Sequence, residues 1–408
     1  MKYNKYKISG AEWLGDIPLD WKLGVIGSFY TLRNEKVSDA DYPPLSVTMK
    51  GIVPQLESAA KTDAHDARKL VLKGDFAINS RSDRRGSCGV SQYDGSVSLI
   101  NTVLTPRNNM NPRYYDWLFH TVQFADEYYK NGHGIVDDLW TTRWNEMKRI
   151  LIPVPPIDTQ EAIAEYLDEK IAHIESLIKE SNASIEEYKA WKASIIYEAV
   201  TKGLDSNVEM KDSGVEWIGL IPTHWKMSRI KNETENLDSL REPISAENRE
   251  NKLGLYDYYG ASGVIDKIDD FNVDDIVLLI GEDGANLRMR NLPLVYRASG
   301  KFWVNNHAHI LKVLDRNNYG YMAYLFEAGD YNMYITGSAQ PKLSQFNLMR
   351  FPIPIAPRDE QNAIEEFLDH KVGEIDCLIN DKKALVEDLE SYKKSLVFEV
   401  VTGKRKVV

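Results

Sequence analysis

The sequence predicts an α+β chain laid out twice: two globular domains separated by two long antiparallel helices that form a coiled coil, the halves related as a pseudo-twofold internal repeat. Three observations predict it. Residues 9–22 (SGAEWLGDIPLDWK) return as residues 213–226 (SGVEWIGLIPTHWK), and residues 152–171 (IPVPPIDTQEAIAEYLDEKI) return as residues 353–372 (IPIAPRDEQNAIEEFLDHKV). A stretch of about 40 residues with sustained 4-3 apolar spacing and no proline follows each second echo. Between the echoes lie two inserts that hardly match each other, both mixing short β-prone runs with turn residues.

A chain of 408 residues with 43% hydrophobic content has material for two to four domains, and a repeat near 200 residues is a duplicated multi-part unit rather than a solenoid. The net charge of −11 is concentrated in two segments. Residues 158–203 hold 10 acidic and 5 basic side chains and residues 359–402 hold 12 and 5, so the rest of the chain is near neutral and can carry local basic faces. No apolar run approaches the roughly 18 residues that span a bilayer, and the start has no apolar leader, so a cytosolic chain without a membrane partner is expected. Cys88 and Cys377, one per half at unmatched positions, argue against a disulfide framework or a cysteine metal site; both read as inert small hydrophobes.

In the first insert, residues 23–151, the run at 71–79 reads as a strand, and the loop after it carries Asn79, Ser80, Arg81, Arg84 and Arg85. Three arginines close together suit phosphate oxygens and guanine edges, because a guanidinium is a planar fork of donors. Arg143 adds a fourth. The helical run at 114–121 is echoed at 321–328, and the aromatic residues there are assigned to packing. Three prolines, Pro153, Pro155 and Pro156, then precede Asp158, read as an N-cap with Glu161 three residues on. The helix that follows has Leu167, Ile171, Ile174, Ile178 and Ile185 on one seam.

The second insert, residues 227–352, has β-prone runs at 272–280 and 302–313. Its stretch 284–314 holds Arg288, Arg290, Lys301 and His307 without one acidic residue, and Asn286, Asn306, Gln340 and Lys342 complete a set able to pair with adenine or guanine edges. Leu368, Val372, Ile375, Ile379, Val386 and Leu389 repeat the first seam 201 positions on. Each rod is roughly 60 Å long at 1.5 Å per residue, and one apolar seam per rod needs one partner rod, so the two pair, antiparallel under a twofold relation. Motifs for catalysis or cofactors are missing: no P-loop, no HExxH, no Gly-x-Ser-x-Gly elbow. The Asp41-Tyr42-Pro43-Pro44-Leu45 segment cannot serve as an amino-methyltransferase motif, since Tyr42 separates the acid from the prolines and the following aromatic residue is absent. A chain that is not an enzyme, with no metal and no cofactor, is expected.

The SGxEWxGxIPxxW openings at Trp13 and Trp217, the IPxPPxxxQxxIxxxLD segments at Gln160 and Gln361, and the closing Val200-Thr201 and Val401-Thr402 together resemble the specificity subunit of type I restriction-modification systems. Gly337-Ser338-Ala339-Gln340-Pro341-Lys342-Leu343 is similar to that family's usual end of a target recognition domain; the first half departs from it with Gly134-Ile135-Val136-Asp137-Asp138-Leu139-Trp140. The resemblance implies target recognition domains at 1–152 and 204–353 and conserved helical spacers at 153–203 and 354–408. It further implies that each domain reads one half of a bipartite site in double-stranded DNA, with the rods as a ruler. Two methyltransferase (modification) subunits would dock on the helices and restriction/translocase subunits would join them. Two alternatives stay open at this point: the DNA-reading subunit of a type IIB-like enzyme, and a coiled-coil scaffold that binds only proteins.

Overall fold

In the computed structural model, which describes residues 2–55, 67–107, 109–134 and 140–407, the two echoed segments of each half meet as partner strands. Lys22–Val25 pairs antiparallel with Leu151–Val154, Leu23 opposite Pro153. Lys226–Arg229 pairs in the same sense with Pro352–Ile355, Met227 opposite Pro354. Each ladder is only two strands wide, so its prolines sit at an edge that needs no further donor. The first echo supplies the turn and second strand of a hairpin in each half: Tyr6–Ile8 with Asp16–Pro18, and Met210–Asp212 with Leu220–Pro222. Gly15 and Gly219 adopt φ of +61° and +69° at its turn, a conformation glycine adopts without strain, while Trp21 and Trp225 are fully buried behind it.

The chain divides into two units, residues 1–182 with 383–408 and residues 183–382. Each holds one globular domain and a stretch of both long helices. Four helices matter below: α1 (Pro112–Phe119), α2 (Ile157–Lys202), α3 (Tyr319–Ala328) and α4 (Arg358–Val401). The sequence places the start of the first rod at Asp158, but α2 begins one residue earlier and Asp158 lies in its first turn, where a carboxylate favours the positive end of the helix dipole.

In the first unit Leu167, Ile171 and Ile174 are buried in one core with Leu396, Val397, Val400 and Val401, and Ile178 and Leu389 pack at its margin. Val386 is half-buried on the same face of α4. Glu175 meets Lys393 while Tyr166 lies near Arg405, so the two helices run antiparallel here. In the second unit Ile185, Ile375 and Ile379 form one cluster, and Ile196, Ala199 and Val200 join Ile364, Leu368 and, at the edge, Val372 in another. Lys192 meets Asp376 and Gly203 lies near Glu360, again antiparallel. Each fully buried leucine or isoleucine of these seams contributes about 1.5–3 kcal/mol. Both helices end on a glycine with φ +75°, Gly203 and Gly403. A Cβ on Gly203 would lie 3.3 Å from the Trp225 ring, and one on Gly403 3.1 Å from the Trp21 ring. Each helix thus stops against the hairpin of the other half's echo.

Two glutamines explain the second echo. Asn111 caps α1, and its backbone N–H donates to Gln160 Oε1 at 2.9 Å, while Gln160 Nε2 donates to Pro155 O at 2.9 Å. Asn318 caps α3, and Gln361 repeats both bonds, from Asn318 N at 2.7 Å and to Ala356 O at 2.8 Å. Further along, Trp117 donates to Asp168 at 2.8 Å and Tyr324 to Asp369 at 2.7 Å. Buried amide groups must find partners, so the short helix of each domain can dock on its rod in one register only.

The sheets carry the unlike parts. The first unit has a four-stranded antiparallel sheet in the order Cys88–Val90, Phe76–Asn79, Asn101–Pro106, Tyr30–Arg33, and a smaller three-stranded one. The second has six strands in the order Thr234–Asn236, Ala308–Val313, Val273–Gly281, Val295–Val304, Leu253–Gly260, Gly263–Ile268. Two expected strands are corrected here. The run 71–79 is two strands, Arg68–Val71 and Phe76–Asn79, parted by a turn with Gly74 at φ +92°. The run 302–313 breaks between Val304 and Ala308, where the Asn305 side chain accepts from His307 N at 2.8 Å. Cys377 is also corrected: it is exposed on α4, whereas Cys88 is buried in the first core.

Candidate nucleic-acid interface

In the second unit the strand Val273–Gly281 runs out into Glu282 and Asp283, and a returning segment crosses it. Leu343 N donates to Glu282 O at 2.7 Å and Gly284 N to Pro341 O at 3.1 Å, while Thr336 and Lys342 exchange backbone bonds of 2.9 and 2.8 Å. The loop so closed turns at Gly337, φ +81°, where a Cβ would come within 2.4 Å of Gln340 O. On this rim Lys342 Nζ lies 3.0 Å from Glu282 and His307 Nδ1 lies 2.7 Å from Asp283. Arg288 reaches Gly337 O at 3.4 Å, and Asn306 and Gln340 are exposed beside them. Five of the expected contact residues therefore gather: Arg288, Asn306, His307, Gln340 and Lys342.

A closed chain of contacts lies beneath the loop. His309 is buried, with Nδ1 2.7 Å from Asp238 and Nε2 2.8 Å from Leu343 O. Asp238 lies 3.3 Å from Arg241, Arg241 bonds Glu282, and Glu282 holds Lys342, the neighbour of Leu343. Burial pushes the Glu282 carboxyl up, but hydrogen bonds from Arg241 and Lys342 outweigh it and leave it below its ordinary value of 4.5. Asp238 is likewise held below 3.8, burial being overcome by the His309 and Ile310 N–H bonds and by Arg241.

The first unit builds the same frame from other residues. Its strand Phe76–Asn79 runs out into Ser80 and Arg81; Thr142 N donates to Ser80 O at 3.1 Å, and Arg81 and His133 both bridge to Thr141. The trio Arg81, Thr141 and His133 stands where the second unit has Asp283, Lys342 and Thr336. Tyr129 donates to Arg81 O at 2.7 Å and Trp140 to Tyr129 O at 2.9 Å, which fixes the loop's base. Arg85 lies 5.3 Å from the Tyr129 ring centre and pairs with Asp126. Arg84 is 3.8 Å from Asp83. Arg81 and Arg143 are exposed and have no acidic partner among the described residues. His133 and Thr141 were not singled out by sequence, since nothing in their residue types marks them. Of the Gly134 to Trp140 segment, residues 135–139 lie outside the described residues.

Several expected contacts are taken up by the protein itself. Asn79 and Ser80 are buried; the Asn79 side chain accepts from Arg81 N at 3.0 Å and the Ser80 hydroxyl bonds Ile100 O, so both shape the loop. Asn286 donates to Leu292 O and Pro293 O at 3.1 and 3.2 Å, and Arg290 bonds the backbone and carboxylate of Glu327. Lys301 lies over Phe271, 4.4 Å from its ring centre, opposite Asp274 and hence about 24 Å along the strand from the Gly281 rim at ~3.4 Å per residue. Nor is the 284–314 stretch free of acids in space. The fold brings Glu327 to Arg290, Asp369 to Arg297, Asp275 to Lys312, Asp283 to His307 and Asp238 to His309.

The profile of the type I restriction modification DNA specificity domain matches residues 222–388. Across nearly its whole length the chain is similar to the type I restriction enzyme MjaVIII specificity subunit of Methanocaldococcus jannaschii, 23% identical over 96% of this chain and 94% of that one. Residues 222–388 thus hold a type I restriction modification DNA specificity domain. A specificity subunit of Haemophilus influenzae is 29% identical, over 33% of this chain and 34% of its own length. Two solved structures share the fold. A chain from work on complex assembly and conformational transition of the type I R-M system has a TM-score of 0.72 at 12% identity, covering 94% of this chain and 98% of that chain. The HsdS subunit of Thermoanaerobacter tengcongensis has 0.54 at 14%, covering 99% and 100%. Among the described residues no helix is long and apolar enough to cross a membrane, and no group of three or more His, Cys, Asp and Glu side chains could hold a metal ion.

Proposed function

We propose that each globular domain of this chain reads one half of a bipartite, asymmetric site in double-stranded DNA through the rim described above. The reading further holds that the chain itself transfers no methyl group and cuts no strand, but directs methyltransferase and restriction subunits that assemble on its helices. One observation carries it: the bridge frame Arg81, Thr141, His133 recurs as Asp283, Lys342, Thr336 with every side chain changed. A frame kept while its side chains differ suits two readers of two different half-sites. The exposed cations nearest the rim, Arg81 and Arg143 in one unit and Arg288 and Lys342 in the other, supply donors for phosphate and guanine.

The helices support partner docking separately from DNA. In the first unit Leu177, Leu385 and Tyr392 are exposed, with Asp388 alongside; in the second Trp191 and Leu378 are exposed, with Glu187 and Asp381 alongside. Leu177 and Leu378 are 201 positions apart, as are Trp191 and Tyr392. An apolar flank rimmed by acids suits protein rather than a polyanion, and matched flanks suit two copies of one partner. Long-read mapping of methylated adenines in cells that hold the partner subunits tests the proposal. Methylation of a two-part motif only when this chain is expressed is the expected result; an unchanged methylation pattern contradicts it.

A further inference from the structure

The closed chain of contacts under the second rim has no counterpart among the described residues of the first unit. Strand pairing sets Asn101 opposite Asn79 in one sheet and Ala308 opposite Gly281 in the other. By that register Thr102 stands where His309 does and Ser80 where Glu282 does, and the bridge frame puts Thr142 at the place of Leu343. The first unit therefore has three small hydroxyl side chains, buried and uncharged, where the second has an imidazole, a carboxylate and the loop's own anchor. Burying charged and titratable groups is costly unless each is bonded, and here each is. Both imidazole nitrogens face acceptors, Asp238 at 2.7 Å and Leu343 O at 2.8 Å. The other Asp238 oxygen accepts from Ile310 N at 2.8 Å, which fixes the carboxylate against the strand that carries His309.

We propose that His309 is the positioning residue for specificity in the second domain, setting the 336–343 loop, and with it Gln340 and Lys342, for contact with bases. The inference rests on the reading that this rim meets DNA. His309 touches no base itself. It acts on the loop through Leu343 O, and round the ring through Asp238, Arg241 and Glu282, which holds Lys342. Base readout by bidentate side chains tolerates little displacement, so loss of the anchor relaxes discrimination rather than simply weakening attraction to the phosphates.

The first domain is the internal control. In cells with the partner subunits, His309→Leu is expected to degrade the methylated motif in one half by about tenfold or more in base preference, while the other half keeps its preference. Glu282→Gln, which keeps the side chain's shape, is expected to do the same more mildly. His309→Gln, which restores a donor toward Leu343 O, is expected to recover part of the lost preference, a recovery that mere filling of space would not give. An unchanged motif, or equal degradation of both halves with Glu282→Gln, overturns the proposal. A wild-type chain that directs no two-part methylation overturns the reading beneath it as well.

Discussion

Lys192 and Asp376 face each other across the helix pair of the second unit, the ammonium 2.8 Å from both carboxylate oxygens, and Lys393 and Glu175 form the same contact at 2.6 Å in the first unit. The four residues are two repeats of one pair, each member 201 positions from its equivalent. A lysine on an otherwise apolar seam disfavours registers that leave it without an acid. All four side chains are partly exposed, so each pair adds only about 0.3–1 kcal/mol, and its effect lies in register more than in stability. Lys192→Glu with Lys393→Glu is expected to lower the melting temperature of the full chain, and adding Asp376→Lys and Glu175→Lys is expected to recover most of the loss. Thermal unfolding of the four-member set checks this; no recovery would show that the pairs do not set the register.

Gln160 and Gln361 should be the most costly polar positions on the rods. Replacing either by leucine leaves a helix-cap N–H and a carbonyl of the proline turn without partners, at about 1–3 kcal/mol for each buried group. Gln361→Leu is expected to raise hydrogen exchange at α3 and leave α1 unchanged, and Gln160→Leu the converse. Exchange that rises equally at both helices would contradict separate clamps.

The rods were legible in the sequence because a period is a local property. Leu167 to Ile185 and Leu368 to Leu389 fall on one face whatever surrounds them, while Gln160 and Gln361 stand out only as repeated positions, and the backbone groups they clamp are visible only in the fold. The rims were only partly legible. Charge along the chain shows no acid within the stretch 284–314, yet Glu327, Asp369 and Asp275 reach Arg290, Arg297 and Lys312 from other elements. His133 and Thr141 become equivalent to Thr336 and Lys342 only through backbone bridges, which leave no mark on residue type. Lys301 has the right chemistry at the wrong end of a strand, a distinction that depends on knowing where the strand turns.

Arg81 and Arg143 have no acidic partner among the described residues, whereas Arg85 pairs with Asp126. With the partner subunits bound, Arg81→Gln and Arg143→Gln are each expected to weaken DNA binding and flatten the log–log salt dependence by about one unit for each phosphate no longer neutralised. Arg85→Gln is expected to change the slope less, because its charge is already partly neutralised. Equal slopes for all three variants and the parent would move the phosphate contacts elsewhere.

Acid should loosen the second rim. Glu282 and Asp238 sit below their ordinary values of 4.5 and 3.8 in the folded state, so their stabilisation is present above those values and is lost as the pH falls through the lowered ones. Hydrogen exchange at Leu343 N–H, bonded to Glu282 O, is expected to accelerate beyond the intrinsic trend as the pH falls below those ordinary values. Glu282→Gln is expected to remove part of that dependence. An acid dependence that is the same in Glu282→Gln as in the parent would contradict a role for that carboxylate in the ring.

The central claim is that two unlike readers on one repeated frame each specify half of a DNA site. Replacing residues 23–151 with the matching insert of a related subunit, and mapping the methylated motif in cells with the same partner subunits, tests it most directly. One half of the motif is expected to change while the other is kept. A motif altered in both halves, or in neither, would contradict the account.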